Sequence, residues 1–288
     1  MPELPEVETF VRQLRKPLIG RKICSAKVSW KNMIVRPGLS RFIDQVRGGK
    51  IVSINRRAKY LVFELEYPSG PKRWLVMHLR MSGVLEVHPS MYPADPYDRI
   101  VFSLDDDHEL RFNDTRKFGK LHLVTDLDEV FKDIGPEPLD PDFQSDQFAR
   151  RLSEYSGQMK PLLLNQKFIA GLGNIYVDEV LWRAAIHPRR KAISLTQEEK
   201  ILLFRSIRSV LSKAIKWRGT DFGDEVVPGG QYKPKVYGRT GDKCYRCKCK
   251  IERITVGQRG THFCPKCQPL TTGRSRRSHK NGQVSLRR

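Results

Sequence analysis

The cysteines near the carboxyl end constrain this chain more than any other feature. Four of the six form two matched pairs, Cys244-x2-Cys247 and Cys264-x2-Cys267, with sixteen residues between them. Each pair can place two thiolates on one metal ion, and four thiolates complete the tetrahedral shell that zinc adopts. Because no coordination position stays open, we expect one structural zinc ion. A redox-active cysteine cluster is the alternative, and two evenly matched pairs disfavour it. Cys249 and His262 are spare candidate ligands.

The residues between the two pairs predict a β-hairpin. β-branched and aromatic side chains flank Gly257-Gln258-Arg259-Gly260, which places Arg259 at the tip. A rigidly held arginine suits a phosphate group. The remaining cysteine, Cys24, stands alone in a strand-like stretch and is predicted to be a buried, inert thiol.

The charge of the chain indicates a polyanionic partner. The formal net charge is +21 over 288 residues, so nucleic acid is the first candidate, although a solubilising surface or a ribosome-associated protein would share this charge. No apolar run approaches the roughly 18 residues of a membrane span. The acidic start, MPELPEVET, does not resemble a secretory signal. We therefore expect a cytoplasmic, nucleoid-associated protein with no membrane contact.

The hydrophobic pattern changes along the chain. Residues 4 to about 17 repeat at helical spacing, whereas residues 22–125 alternate in short runs typical of a β-sandwich or barrel. The predicted strands are 22–28, 50–55, 60–66, 74–79, 99–104 and 120–125. A proline-rich stretch at 134–143 is a plausible linker, and the predicted helices beyond it are 143–153, 160–165, 174–185 and 196–217. Residues 219–238 are glycine-rich and predict a loop.

The amino terminus carries a group that can react with a substrate. Met1 before proline is normally removed, which would leave Pro2 as a secondary α-amine that titrates near 7.7–8, far below lysine. Such an amine can attack the C1′ carbon of a sugar and form an iminium adduct, and the adjacent Glu3 can move protons to or from the opened sugar. The simpler interpretation is an acidic, proline-primed helix start.

Six segments in order give the chain a family resemblance. They are MPELPEVET, RRAKYLVF at 56–63, HLRMSG at 78–83, DTRKFG at 114–119, GLGNIYVDE at 171–179 and the cysteine module. Over about residues 1–268 the chain resembles formamidopyrimidine-DNA glycosylase, a bifunctional enzyme that removes oxidised purines and nicks the abasic site. PELPE, where a pyrimidine-directed branch usually has PEGPE, favours the purine-directed branch.

The resemblance implies an α+β fold of two domains. An N-terminal β-sandwich with flanking helices (1–133) would precede a helical domain with a helix–two-turns–helix element and lesion loop (134–238). A β-hairpin zinc finger (239–268) would follow. Residues 269–288 lie beyond the resemblance, and their basic composition without acidic residues predicts a disordered tail. The implied partner is double-stranded DNA with oxidised bases or abasic sites, bound in the cleft between the domains. We expect a monomer that needs zinc and no redox or nucleotide cofactor.

The resemblance also implies roles for single residues at the reacting sugar and the phosphates. Pro2 would be the Schiff-base nucleophile, Glu3 its proton donor and acceptor, and Glu6 a supporting or relay residue. Phosphate contacts would come from four further side chains: Lys59, His78, Asn174 and Arg259. The resemblance also implies catalytic roles for Lys59 and Arg259. Without the resemblance, Lys59 would be taken as a solvated lysine at a strand end.

Base flipping leaves a gap in the duplex, which the resemblance assigns to three side chains. Met81, Arg116 and Phe118 would fill it, although Met81 and Phe118 could also be core residues. Tyr97 stands where many relatives have a DNA-contacting histidine. For oxidised purines, the implied reaction is base excision followed by β,δ-elimination at the abasic site. Because the loop 219–238 is several residues shorter than usual, the same chemistry directed at oxidised pyrimidines is one alternative. A non-catalytic binder of damaged DNA is the second alternative.

Overall fold

The structure is a computed structural model that describes residues 2–220 and 229–270. The helices in this part of the chain are α1 (Leu4–Leu18), α2 (Leu39–Val46), α3 (Asp128–Phe131), α4 (Ser145–Ser153), α5 (Met159–Leu164), α6 (Asn174–Arg183) and α7 (Gln197–Lys216). The strands are β1 (Ile23–Val28), β2 (Ile34–Arg36), β3 (Lys50–Arg57), β4 (Tyr60–Glu66), β5 (Arg73–His78), β6 (Gly83–Pro89), β7 (Asp98–Leu104), β8 (His108–Asp114), β9 (Lys120–Val124), β10 (Glu252–Val256) and β11 (Arg259–Phe263).

Two sheets face each other in the N-terminal half, so the predicted β-sandwich is confirmed. One sheet has the strand order β1-β7-β8-β6 and the other β2-β9-β5-β4-β3. All neighbours are antiparallel except β2 and β9. The inner faces bury Phe63, Phe102 and Phe112, and α1 adds Phe10 and Leu14 to the same core. Burial of this apolar surface stabilises the sandwich and fixes α1 against it.

Strands β6 and β8 were not among those predicted from the sequence. In β8 only Leu110 and Phe112 are apolar, and the charged Arg111 between them is also buried. Its guanidinium donates to the carbonyls of Tyr92 and Pro93, both at 2.8 Å. These partners are distant in sequence, so local alternation cannot reveal them. The predicted burial of Cys24 is wrong: a register shift after Ile23 places this thiol on the exposed side of β1.

The helices of the second half enclose a separate core. Phe148, Phe168, Tyr176 and Phe204 lie in it, and Leu4 of α1 packs there rather than in the sandwich. The Leu4 amide donates to the Gly171 carbonyl at 3.1 Å. The start of α1 therefore lies where the two halves meet. None of the described helices is long and apolar enough to cross a membrane.

The second half ends in the predicted hairpin. Strands β10 and β11 pair from Glu252 with Phe263 to Val256 with Arg259, around a turn at Gly257 and Gln258. Two predicted segments lie partly outside the described residues: positions 221–228 of the predicted 219–238 loop and positions 271–288 of the predicted tail. Met1 also lies outside them.

Candidate active site

Glu3 is buried at the junction of the two halves. One carboxylate oxygen accepts the amide of Gly173 at 2.7 Å and that of Tyr176 at 3.4 Å, and the other accepts the Ile175 amide at 2.9 Å. These donors surround the first turn of α6, where unpaired N–H groups and the helix dipole favour an anion. Burial nevertheless raises the pKa of Glu3, against the opposing charge of Lys59. Its carboxyl group is thus held rigidly and retains a proton to higher pH than a free glutamate.

Glu6 lies one turn further along α1 and is fully engaged. Its side chain accepts the Glu3 amide at 2.9 Å, the Thr220 amide at 2.9 Å and the Tyr176 hydroxyl. A Cβ atom at Gly219 would lie 2.6 Å from the Glu6 carboxylate, so only glycine fits there. Glu6 therefore ties the start of α1 to α6 and to the segment after α7.

Lys59 occupies the turn between β3 and β4 and is buried. The preceding residue, Ala58, has a positive φ of 53°, and its amide donates to Glu137. Arg56 and Arg57 also bind Glu137, at 2.9 and 3.0 Å. Burial lowers the pKa of Lys59, while the nearby charges of Glu3 and Glu6 oppose this shift. Sequence reasoning missed Glu137, whose contacts lie about 80 positions away in the chain.

His78 ends β5 close to the same site. Its Nδ1 accepts the Arg80 amide at 2.9 Å, which leaves the proton of the neutral ring on Nε2. Burial, with the nearby Arg80 and Lys59 charges, lowers the pKa of His78 to about 3. At neutral pH His78 is therefore an uncharged hydrogen-bond donor, and any phosphate contact would use this N–H rather than a positive charge.

A cleft of about 700 Å³ opens above Glu3. Residues from the sandwich, from α6 and from the hairpin line it: Glu3, Arg80, Met81, Lys117, Phe118, Lys120, Asn174, Ile175, Tyr237 and Arg259. Arg80, Lys117, Lys120 and Tyr237 were not singled out from the sequence. Arg80 was detectable from the sequence, because it lies inside the HLRMSG segment. In the structure its φ is positive, at 59°. The cleft thus combines one buried acid with several cations, which suits an anionic polymer.

Met81 and Phe118 project into the cleft, which excludes the core-packing alternative. Their side chains are 41% and 46% exposed, and the Arg116 guanidinium lies 4.9 Å from the Phe118 ring centre. Buried Asp114 shapes the Phe118 turn by accepting the amides of Arg116 at 3.1 Å and Gly119 at 2.8 Å. Exposed apolar groups beside arginine are suited to insertion between bases.

Tyr97 is exposed beside this turn but does not line the cleft. Its carbonyl accepts the Asp114 amide at 3.0 Å, and the Arg99 guanidinium lies 5.4 Å from its ring centre. A DNA contact from Tyr97 therefore stays a prediction.

The hairpin is fixed to α6, which brings Arg259 into the cleft. The Asn174 amide nitrogen donates to the Gly260 carbonyl at 3.1 Å. The His262 backbone amide donates to Asp178 at 2.8 Å, and the second oxygen of Asp178 accepts the buried Lys160 ammonium. Asn174 and Arg259 therefore face the same cleft on a rigid support.

The four predicted cysteines form one metal centre. Their sulfur atoms all lie within 4.8 Å of one another, with Cys244 3.9 Å from Cys267 and Cys247 3.3 Å from Cys264. Zn–S bonds of about 2.3 Å place tetrahedral ligands about 3.8 Å apart, so the arrangement fits zinc. Backbone N–H groups of Cys247 and Arg246 overcome burial and lower the pKa of Cys244 to about 6, whereas burial raises the pKa of Cys264 and of Cys267.

Comparison with known proteins agrees with this geometry. Residues 1–121 match the formamidopyrimidine-DNA glycosylase N-terminal domain, and residues 134–225 match the H2TH domain of the same family. Residues 241–270 match the zinc finger found in FPG and IleRS. The chain belongs to the formamidopyrimidine-DNA glycosylase family. The predicted fold class, enzyme class and structural zinc are thereby confirmed, and the chain is a DNA-repair glycosylase.

Individual relatives show the extent of the similarity. Formamidopyrimidine-DNA glycosylase of Herpetosiphon aurantiacus is 44% identical over 276 residues, covering 93% of this chain and all of the relative. The Lactococcus lactis subsp. lactis enzyme is 42% identical, covering 93% and 99%. A structure of Lactococcus lactis Fpg with DNA containing an abasic site has a TM-score of 0.86, at 39% identity and 93% and 100% coverage. A structure of MutM with DNA containing carbocyclic 8-oxo-G has a TM-score of 0.85, at 41% identity and the same coverage.

Proposed function

We propose that this chain excises oxidised purines from double-stranded DNA and then cleaves the strand at the abasic site by β,δ-elimination. Similar formamidopyrimidine-DNA glycosylase family structures hold DNA with an abasic site, a Fapy-dG or an 8-oxo-G analogue. One observation carries the proposal. The residue directly after Pro2 is a buried glutamate, held by three backbone amides at the floor of a cationic cleft.

Pro2 is the proposed nucleophile, once Met1 has been removed. Its secondary amine forms a bond to C1′ of the damaged nucleotide, and the bond from C1′ to the base breaks. The base leaves with that electron pair and takes up the proton that the amine gives up. Opening of the sugar ring then gives an iminium ion, with the ring oxygen accepting a proton from Glu3. The raised pKa of Glu3 supports this donor role. Lys59 lies beside the same group, where the charges of Glu3 and Glu6 oppose the lowering of its pKa by burial.

The remaining site residues are proposed to hold the DNA. Lys59, His78, Asn174 and Arg259 contact phosphates around the flipped nucleotide, and Arg259 assists the later elimination. The gap in the duplex is filled from the opposite wall of the cleft by Met81, Arg116 and Phe118. Glu6 keeps α1 in place through its hydrogen bonds to Thr220 and Tyr176. Tyr97 contacts the DNA beside this wall.

Borohydride trapping tests the nucleophile. Wild-type protein should form a covalent adduct with abasic DNA, and mass spectrometry should place it on Pro2 in chains that lack Met1. Pro2→Gly should lower trapping strongly, whereas the control Pro5→Ala keeps the nucleophile and should trap normally. An adduct on another residue would refute the mechanism. If wild type gave no adduct, a non-catalytic damaged-DNA binder would replace this proposal.

A lesion panel tests the substrate. Duplexes with 8-oxoguanine, formamidopyrimidine or thymine glycol should be cleaved in favour of the two purine lesions. Faster excision of thymine glycol would instead favour the pyrimidine-directed alternative.

We also propose that the enzyme is a cytoplasmic monomer, with domains at 1–133 and 134–238, a zinc finger at 239–268 and a tail at 269–288. Light scattering of the purified protein and limited proteolysis test the monomer and the boundaries.

A further inference from the structure

A second cavity, of about 580 Å³, lies on α6 away from the catalytic cleft. It is enclosed by the later turns of α6, the end of α7, the segment 231–235 and Arg246 of the zinc finger. Among the described residues, none lines both cavities. Its volume falls within the range of small-molecule sites, about 300–1,000 Å³.

Aromatic rings line this α6–α7 cavity. Trp217, directly after α7, is 42% exposed although its ring is large and apolar. Trp182 and Tyr232 are buried, and the Tyr232 hydroxyl donates to Glu179 at 3.1 Å. The Arg246 guanidinium lies 3.9 Å from the Trp182 ring centre. The cavity therefore offers one accessible ring face, on Trp217, above a fixed aromatic floor.

The charge around the cavity is strongly positive. Five cations line it: Arg183, Lys213, Lys233, Lys235 and Arg246. The acid among the lining residues is Glu179, and its carboxylate already accepts the amides of residues 235–237. Within residues 2–220 and 229–270, Arg183, Lys213 and Lys233 form no ion pair with an acid. Among the described lining residues, positive charges therefore outnumber negative ones, and such a concave surface attracts anions.

We propose that the α6–α7 cavity binds one nucleotide unit, with its base stacked on Trp217 and its phosphate between Lys213 and Lys233. Aromatic stacking accepts any base, and lysine ammonium groups bind phosphate as point charges. The same chemistry is available from a free nucleotide and from one unit of a single strand. A single strand bound here would give the enzyme a second DNA-binding site in addition to its catalytic cleft.

The test keeps the catalytic cleft occupied. Full-length zinc-loaded protein is first saturated with a duplex that contains an uncleavable abasic analogue. Calorimetric titration then follows binding of deoxyadenosine 5′-monophosphate, of inorganic phosphate and of an oligothymidylate. The nucleotide should bind the blocked complex, and more tightly than phosphate does. Tighter binding of the oligothymidylate would identify a strand as the source, and preference for the mononucleotide would identify a free nucleotide.

Variants assign the binding to named residues. Trp217→Leu and Lys213→Gln should each weaken nucleotide binding about tenfold, the scale of one stacked base. Lys216→Gln, an exposed lysine on the same helix outside the cavity, should leave it unchanged. All three should excise damaged bases at the wild-type rate, which shows that they are folded. The proposal is overturned if the blocked complex binds no nucleotide, or if Trp217→Leu and Lys213→Gln bind as wild type does. Neither result would affect borohydride trapping at Pro2.

Discussion

Gly173→Ala should disable catalysis without adding or removing a functional group. Gly173 has an extended backbone conformation, which alanine adopts readily, so the change introduces no backbone strain. An added Cβ, however, would lie 2.3 Å from the Glu3 carboxyl carbon, whereas ordinary contacts begin at 3.4 Å. The Glu3 side chain must therefore move, and its hydrogen bonds to the Gly173, Ile175 and Tyr176 amides must lengthen or break.

The size of the effect follows from this displacement. Relief of the contact requires a shift of roughly 1 Å, and a misplacement of that size can slow a reaction about 100-fold. Loss of a positioned proton donor costs about 10²–10⁴-fold, so the displaced Glu3 should retain little of its contribution. Crowding in a packed interior should also cost about 1–3 kcal/mol of unfolding free energy. Because the phosphate-facing residues are untouched, affinity for an abasic analogue should change only a few-fold.

Single-turnover excision measures the loss in reaction rate, and binding of the abasic analogue, measured in parallel, gives the change in affinity. Gly157→Ala is the matched control, since a Cβ there meets no atom within 4 Å. It should excise and bind as wild type does. If Gly173→Ala excised within threefold of the wild-type rate while folded, close support of Glu3 by α6 would not matter for catalysis.

Three further perturbations address other parts of the site. Arg259→Ala should weaken DNA binding and lower the slope of log affinity against log salt by about 1, because one phosphate contact is lost; an unchanged slope would contradict that contact. Arg246→Met should speed zinc transfer to a chromogenic chelator, since the arginine donates to the Trp182 carbonyl at 2.7 Å and the Arg183 carbonyl at 3.1 Å; equal release rates would exclude this support. Unfolding free energy should fall as pH drops from 6.5 toward 3, because the unfolded chain binds a proton that folded His78 does not. His78→Gln should flatten this dependence in denaturant titrations, and an unaltered slope would place the proton elsewhere.

Local sequence patterns predicted the parts of the fold that the spacing of neighbouring residues determines. Apolar spacing gave α1 to within about one residue at its end, and cysteine spacing gave the metal centre. Strand β8 has only two apolar side chains, Leu110 and Phe112, and the burial of Arg111 between them depends on the carbonyls of Tyr92 and Pro93, which precede it by 19 and 18 positions. Patterns of alternation carry no information about such distant partners.

The same distinction applies to the site. The motifs identified about half of the residues that line the cleft, among them Glu3 and Arg259, but not the residues that hold these in place. Glu137 fixes the Lys59 turn through contacts that cross between the two halves of the chain. Asp178 joins Lys160 to the hairpin, and neither residue belongs to a pattern that suggests a buried ion pair. These charges come together only in the folded protein. There, opposite charges and hydrogen bonds offset the desolvation cost of burying them.

Helix α6 connects the metal centre to the reacting groups. Its first turn holds the Glu3 carboxylate, its middle binds the hairpin through Asp178, and its last turn carries the carbonyls that Arg246 of the zinc finger binds. All three contacts are made by the ten residues of α6. A shift of the zinc finger along this helix must therefore also move Arg259 relative to Glu3. A zinc ion held by the four cysteines would have no free coordination position for a substrate. Its contribution to catalysis must therefore be geometric, through the distance that α6 sets between the arginine and the carboxyl group.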